Sequence, residues 1–423
     1  MVQSASDYSG KTVNSAVITV PTNFSDKQKA ALTEAANNAG LEVLQLIHEP
    51  IAAVLAYDAK NEHSGSDKVV VVADLGGTRS DVAVVASRNG IYTILATAHD
   101  YEFAGVALDV VLQDHFAKEF IKWNTTDPRL EARPMAKLKL EAEATKKALS
   151  IGTNANFSVE SLAEGADFAS TINRLRYETI ARKVFDGFNR LIESVVKKAE
   201  LDVLDIDEVI LSGGTSHTPK IARNMAALFP KATVLAPSTT PTAINPSELQ
   251  ARGAALQANL IQEYEAEDIE QSTHAAVTTV KHLTNAIGVL SIDKGEEVFT
   301  PIIAAETAVP ARRIIHIATP PSGGDVLIKI VEGGSHIKVS TVEPKSKEEA
   351  DSDDSDVDSD EEPEEQREKV WKVGNLLAEA AIKDVKKGGK VEVMINVAAD
   401  LAVTVTAREV GGKGGVRGNI TAP

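Results

Sequence analysis

Two apolar runs separated by a short polar turn stand out in the hydrophobic pattern of the chain. The first run ends at Asp74, Gly76 and Gly77, and the second ends at Val85. This pattern predicts a buried strand, a tight turn and the returning strand of a hairpin. Glycine lets the backbone approach an anion closely, and an aspartate at a strand end can hold hydrated magnesium. Taken alone, a Gly-Gly pair between two strands is more often only a hairpin turn.

Short strands and helices alternate through the first 262 residues. Ser25 and Gln28 are spaced as a capping box at the start of one helix, and Gly40 closes it. The predicted strands cover 16–20, 41–47, 91–98 and 209–211, with two more around Phe157 and Phe168. The predicted helices cover 25–38, 50–57, 106–124, 135–150, 177–200 and 245–260.

Two further features carry candidate chemistry. The helix predicted over 135–150 presents polar side chains at offsets of three, four and seven, which share one helical face: Glu143, Lys146, Lys147 and Ser150. Judged by these residues alone, a solvated, ion-paired face is the favoured interpretation. The strand over 209–211 stops at the glycine pair Gly213 and Gly214, and Pro219 then lies in the first turn of a helix. The N-terminus of such a helix is a potential anion site.

After residue 262 the long helices stop, and short β-branched runs broken by Gly and Pro predict a small antiparallel β domain. The predicted organisation is a first domain over 1–262, a linker over 263–284 and a β domain over 285–423. An acidic, low-complexity insertion over 345–369 is predicted to be disordered, because it cannot bury enough apolar surface.

The end of the chain is less regular. Residues 371–384 fit either one helix or a strand after a turn. Residues 391–407 return to a strand pattern with Asp400 at a turn, and the Gly-rich residues 411–418 are predicted to be a mobile tail.

Composition narrows the classes of function. No apolar run approaches the ~20 residues of a membrane helix and no signal peptide is evident, so we expect a cytoplasmic protein without a membrane partner. The absence of cysteine among the 423 residues excludes disulfides and thiolate zinc sites. Most of the net charge of −17 comes from residues 348–368, which contain 13 acidic residues and one arginine. No strong basic field therefore draws the chain onto nucleic acid.

Two serines within that acidic segment are candidate modification sites. Ser355 and Ser359 are each followed by acidic residues, so we expect them to be substrates of an acidophilic kinase. A purely solubilising spacer is the alternative interpretation of the segment.

Four motifs occur in a characteristic order. They are Ala-Val-Ile-Thr-Val-Pro over 16–21, Ile-His-Glu-Pro-Ile-Ala-Ala over 47–53, Asp-Leu-Gly-Gly over 74–77 and Leu-Ser-Gly-Gly over 211–214. In this order they resemble the heat-shock protein 70 family, continuously over 13–260 and more faintly over 285–408. The resemblance implies an α/β, actin-like (ribonuclease H-like) ATPase fold, followed by a small β-sandwich related to the family's peptide-binding domain.

The resemblance also implies a site for ATP and Mg²⁺. By this likeness Asp74 is a metal residue, Glu49 lies near the waters of the metal, and Gly76 and Gly77 cradle the terminal phosphates. The implied adenosine contacts are Glu143, Lys146, Lys147, Ser150, Gly213, Gly214 and His217. With the resemblance in place, a nucleotide site is preferred over a hairpin turn and a solvated helix face.

Several positions depart from the family pattern. Arg79 replaces a threonine that faces the terminal phosphate; it can hold a phosphate but cannot position an attacking water as the threonine does. Val106 and Ala107 replace a Glu-Asp pair, and His217 replaces an adenine-stacking arginine. The family's leucine-rich linker has no counterpart in 265–279, and no helical lid follows the β domain.

The family's first phosphate loop and catalytic lysine also have no counterpart. We therefore expect an N-terminally incomplete domain that, as given, binds ATP weakly or not at all.

Within the family, these departures are similar to the atypical fungal member that pairs with the J-domain protein zuotin as the ribosome-associated complex. They imply a catalytically degenerate co-chaperone, without catalytic residues of its own, that assists nascent chains on the ribosome. The alternative is an ATP-driven peptide-binding chaperone of the same family. A sugar kinase or an actin-like filament protein is a third possibility on this fold, against which the β domain argues.

The β domain carries one further expectation. With a shortened strand set it should leave an exposed edge, and we expect the J-domain partner to add a strand there. A solvated loop over that edge is the alternative.

Overall fold

The computed structural model describes residues 2–59, 67–88, 90–124, 126–262, 281–293, 296–318, 322–342, 364–412 and 415–420. The chain divides into two compact units, Met1–Ser272 and Thr273–Pro423. Among the described residues, no helix is both long enough and apolar enough to cross a membrane.

Strands and helices alternate along the first unit. Its strands are β1 (Ser15–Val20), β2 (Glu42–His48), β3 (Lys68–Leu75), β4 (Ser80–Arg88), β5 (Ile91–Asp100), β6 (Asn154–Ala163), β7 (Ala166–Asn173), β8 (Glu208–Ser212) and β9 (Thr233–Leu235). Its helices are α1 (Val2–Ser9), α2 (Asp26–Asn38), α3 (Glu49–Asp58), α4 (Gly105–Asn124), α5 (Ala132–Ile151), α6 (Arg174–Ile180), α7 (Arg182–Lys198), α8 (Pro219–Leu228) and α9 (Leu249–Gln262).

A five-stranded mixed sheet, in the order β5-β4-β3-β8-β9, forms the centre of this unit. β3 runs antiparallel to β4 and parallel to β8. Val71 and Ala73 share a core with residues of α4, α5, α7 and α8, whereas Val70 and Val72 pack against residues of α3 and α9. Because both faces are covered, β3 is apolar along almost its whole length. The predicted buried hairpin is confirmed, and so is the α/β class.

Local capping signals place the first long helix as predicted. Ser25 N–H donates to Gln28 Oε1 at 2.9 Å and Gln28 N–H donates to Ser25 Oγ at 3.4 Å, which completes the capping box of α2. The helix predicted over 177–200 is instead divided into α6 and α7 at Ala181. There the backbone leaves the helical region (φ −88°, ψ 5°), although neither glycine nor proline marks the position.

Two other boundaries of the first unit differ from the predictions. α9 begins at Leu249 rather than Asn245, because the Asn245 side chain accepts a hydrogen bond from Ser247 N–H at 3.1 Å and holds these residues in a turn. A 3₁₀ turn, Gly214–His217, begins at the second glycine of the pair and precedes α8. The N-terminus of α8 therefore does not lie directly at that pair.

The second unit is a β-sandwich. Its strands are β10 (Ala286–Asp293), β11 (Glu296–Ile303), β12 (Ala311–Ala318), β13 (Gly324–Val342), β14 (Glu364–Val385), β15 (Lys390–Val397), β16 (Val403–Glu409) and β17 (Gly415–Ile420). They form two antiparallel sheets, in the orders β11-β10-β13-β14 and β12-β15-β16-β17. Alternate residues of β15 are buried in one core with residues of both sheets, so the two sheets pack face to face.

Several predictions for this unit are corrected. Residues 371–384 lie within β14, so the strand alternative holds. Glu364–Lys369, predicted to belong to the disordered insertion, pair with residues 337–342 of β13, since cross-strand hydrogen bonds extend the ladder into the acidic sequence. Residues 345–363, with Ser355 and Ser359, lie outside the described residues. β17 pairs with β16, so the mobile tail predicted over 411–418 is wrong over 415–418.

The predicted linker is also shortened at its C-terminal end. Leu283 N–H donates to Thr307 O at 3.0 Å, and Glu306 N–H donates to Leu283 O at 2.8 Å. These bonds place residues 281–284 in the second unit, whereas residues 263–280 lie outside the described residues.

Candidate functional site

Two glycine turns meet at one edge of the central sheet. Because β3 and β8 are parallel neighbours, with Asp74 opposite Ser212, the turns that follow them lie side by side. Gly213 has φ +83°, and a Cβ there would approach Leu75 O to 2.4 Å. Thr215 Oγ1 donates to Gly76 O at 2.9 Å and joins the two turns directly. Only glycine permits this close approach of backbone to backbone.

The first turn is closed on itself and open on one face. Gly76 N–H donates to Arg79 O at 2.9 Å, and a Cβ on Gly76 would lie 2.7 Å from that oxygen. A Cβ on Gly77 would meet no atom within 4 Å. The turn therefore presents an accessible backbone surface at Gly77, as a phosphate cradle requires.

The N-terminus of α4 is tied to this turn. Gly105 N–H donates to Gly76 O at 3.0 Å, and Val106 N–H donates to Gly77 O at 2.7 Å. A Cβ on Gly105 would lie 2.4 Å from Thr215 Oγ1. Sequence reasoning did not include Gly105 among the site residues, although its position beside the departure at Val106 was a signal.

Three carboxylates line one small cavity of the first unit. Glu49, Asp74 and Asp81 share a cavity of about 10 Å³. Burial, followed by repulsion from Asp74 and Asp81, raises the pKa of Glu49 to about 7. Burial also raises the pKa of Asp74, although Gln250 Nε2 donates to its Oδ2 at 2.7 Å. The predicted pair Glu49 and Asp74 is thus brought together.

Arg79 supplies the positive charge at this cluster. Its Nη2 donates to Asp81 Oδ1 and to Asn23 Oδ1, the latter at 3.0 Å. Its guanidinium carbon lies 5.5 Å from the ring centroid of Tyr101, a cation–π distance. Its Nε is buried and has no hydrogen-bond partner within the described part of the chain. Asn23 and Gln250 were not predicted, because each reaches the site from another segment of the chain. Asp81, two residues after Arg79, was not predicted either.

The polar residues predicted to share one face of α5 make different contacts in the structure. Lys146 Nζ lies 2.7 Å from Asp109 Oδ1 and donates to Gly105 O at 3.0 Å, so it turns inward to α4. Glu143 and Lys147 instead form a 2.7 Å ion pair with exposed side chains, as the solvated-face alternative predicted. Ser150 Oγ donates to Lys146 O at 3.2 Å. The contact of these four residues with adenosine stays a prediction.

The second glycine pair adds a polar rim. His217 Nε2 lies 3.2 Å from Ser247 Oγ, and the ideal Cβ position of Gly214 is 4.0 Å from the same hydroxyl. Gly214 and His217 lie in the 3₁₀ turn that follows β8. The contact of Gly213, Gly214 and His217 with adenosine stays a prediction.

The site fits a nucleotide better than it fits a protein-held magnesium ion. The open face at Gly77 and the partly exposed guanidinium of Arg79 suit phosphate oxygens. Mg²⁺ requires near-octahedral oxygen coordination and retains several waters. Across the described ranges, no three His, Asp or Glu side chains converge on a metal position. Gln250 donates a hydrogen bond to Asp74 and Arg79 donates one to Asp81, so both carboxylates already have side-chain partners.

Comparisons with known proteins identify the family of the chain. A family model described as Hsp70 protein matches residues 1–343. The ribosome-associated complex subunit SSZ1 of Saccharomyces cerevisiae is 45% identical over 418 residues, which cover 98% of this chain and 76% of that protein. A heat shock protein 70 homologue of Schizosaccharomyces pombe is 44% identical, over 99% of this chain and 73% of the relative.

A vertebrate relative extends the comparison. Heat shock 70 kDa protein 14 of Danio rerio is 34% identical, over 82% of this chain and 68% of the relative. Both the family model and these relatives span most of the sequence, across the two glycine turns and into the β-sandwich. The chain belongs to the heat-shock protein 70 family.

Proposed function

We propose that this chain is a chaperone subunit that binds ATP weakly and does not hydrolyse it. In this proposal it pairs with a J-domain protein similar to zuotin, on cytoplasmic ribosomes, and assists the folding of nascent chains. The name of the Saccharomyces cerevisiae relative supports the ribosome-associated part. The proposal that ATP is not hydrolysed is based on the position and contacts of Arg79.

Hydrolysis of a terminal phosphate requires a group that orients the attacking water. At the first glycine turn that position belongs to Arg79, which is anchored by Asp81 and Asn23. A guanidinium has only N–H donors and stays charged, so it cannot accept a proton from water. Arg79 therefore supports binding of the phosphate without supporting attack on it.

We expect the single-turnover rate of ATP hydrolysis to be at least about 10²-fold below that of an active family member. The full chain, in excess over labelled ATP, is compared with an active heat-shock protein 70 in the same buffer. Addition of a J-domain is expected to leave the low rate unchanged. A rate comparable to that of the active protein would favour the alternative, an ATP-driven peptide-binding chaperone.

The pairing partner is proposed to bind at an edge of the sandwich. The sequence prediction of a partner site concerned three segments, 286–292, 326–331 and 391–405. They lie mainly in β10, β13, β15 and β16, which are interior strands. Within the described residues, β12 is one of four edge strands of the sandwich and pairs only with β15. Its Ile314 side chain is 46% exposed. An edge with an exposed apolar residue is a template for strand addition.

Hydrogen exchange tests this pairing. In a complex with a zuotin-like J-domain subunit, the amides of β12 are expected to exchange at least about tenfold more slowly than in the free chain. The interior strand β16 provides the internal control, because its amides are already paired on both sides. If the complex leaves β12 unchanged while a generic unfolded peptide protects it, the client-binding alternative is preferred.

A further inference from the structure

We propose that Arg79 is a built-in counter-ion for the terminal phosphates of the nucleotide, so that this site binds ATP without a magnesium ion. The inference rests on the proposed nucleotide binding and assigns the charge compensation within that site. It follows from the hydrogen-bonding state of the guanidinium, from its neighbours and from the engagement of the carboxylates.

The guanidinium of Arg79 is held by hydrogen bonds, but not all of its N–H groups donate one. Both of its hydrogen bonds, to Asp81 and Asn23, are made by Nη2. The ring of Tyr101 flanks it at 5.5 Å. Arginine has five N–H donors. The side chain is 21% exposed and its Nη1 makes no hydrogen bond within the described part of the chain, so Arg79 can still donate to an anionic acceptor.

The adjacent turn determines what that acceptor is. Gly76 N–H bonds to the carbonyl of Arg79 at 2.9 Å, so the backbone of Arg79 is fixed relative to the open face of Gly77. A phosphate that lies on Gly77 has several oxygens, and arginine binds such groups with two parallel hydrogen bonds. A positive charge and an open glycine backbone together specify a phosphate.

The carboxylates of the same cluster are already engaged. Asp74 already accepts from Gln250, and Asp81 already accepts from Arg79. The carboxylates thus balance the arginine instead of forming a metal site.

Isothermal titration of the full chain with ATP, up to millimolar concentration, tests the inference in two buffers. One contains MgCl₂ and the other contains EDTA. We expect the dissociation constants to agree within about threefold. Arg79→Thr is expected to weaken binding in EDTA by about tenfold or more, with part of the loss restored by Mg²⁺. Arg79→Lys retains the charge but lacks the parallel N–H groups of the guanidinium. Its affinity for ATP in EDTA is expected to lie between those of the unmodified chain and Arg79→Thr.

Arg190→Thr is the matched control. It removes one positive charge and a similar cation–π contact, 5.6 Å from the ring of Phe103, in the same unit. Its affinity for ATP is expected to equal that of the unmodified chain. Circular dichroism of each variant verifies that the helices of the first unit are intact.

Each contrary outcome has a distinct meaning. If Mg²⁺ strengthens binding to the unmodified chain by more than about tenfold, the inference is wrong and the proposed nucleotide binding stands. If Arg79→Thr binds ATP in EDTA as the unmodified chain does, Arg79 only stabilises the turn and the inference is again wrong. If neither buffer shows ATP binding, both the inference and the proposed nucleotide site are overturned.

Discussion

Lys68→Met is expected to lower the free energy of unfolding of the first unit by about 3–5 kcal/mol, because it leaves the buried Asp58 and the half-buried Glu208 without their cation. Lys68 Nζ lies 2.6 Å from Asp58 Oδ1 and 2.7 Å from Glu208 Oε2, and its side chain is only 7% exposed. Tyr92 OH donates to the other oxygen of Asp58 at 2.8 Å. Burial opposes the charge of Lys68, but the bonds to both carboxylates outweigh it and raise its pKa.

The stability of this variant is measured by urea denaturation, followed through the helical circular dichroism signal. All helices of the described residues belong to the first unit, so the signal reports on that unit. Lys147→Met is the matched control, since its ion pair with Glu143 is exposed and contributes at most about 0.5 kcal/mol. Equal losses in the two variants would show that the buried position of Lys68 gives it no special importance.

Gly213→Ala is expected to cost about 2–4 kcal/mol, from a left-handed backbone angle and from overpacking together. Gly213 has φ +83°, and its new Cβ would lie 2.4 Å from Leu75 O and 2.5 Å from Asp74 Oδ1. The backbone of β3 and a buried carboxylate would both have to shift. The same shift would disturb the turn at Gly76 and with it the candidate site.

Gly214→Ala provides the control within the same pair. Its ideal Cβ meets only Ser247 Oγ, at 4.0 Å, so the change in stability is expected to stay within about 0.5 kcal/mol. Thermal or urea denaturation of both variants measures the difference. A similar loss in both would mean that the glycine pair is needed for chain flexibility and not for the close approach of Gly213 to β3.

Elements set by neighbouring residues were predictable from the sequence. The capping box of Ser25 and Gln28 begins α2, and Gly76 closes its turn through a bond to Arg79, three residues away. In the same way Asp400 accepts from Ala402 N–H at 3.0 Å and fixes the turn before β16. In each case the partners lie within three residues, so the pattern of residue types carries the information.

Features set by distant residues were not predictable in this way. Gln250 reaches Asp74 across 176 positions, and nothing near either residue signals that contact. β17 and the acidic start of β14 form because a neighbouring strand offers hydrogen bonds, against the tendency of Gly-rich and acidic sequences to stay irregular. Lys146 turns inward because Asp109 lies on another helix, which helical periodicity alone does not reveal.

The hydrogen bonds from Gly105 and Val106 to the first glycine turn have a mechanical consequence. They fasten one end of α4 to Gly76 and Gly77, while the 20 residues of the helix extend about 30 Å from that point. α4 therefore begins at the first glycine turn, and a tilt of about 5° about that point would move its far end by about 2.6 Å. Trp123, 82% exposed near that end, is a fluorescent side chain with which such a movement can be measured.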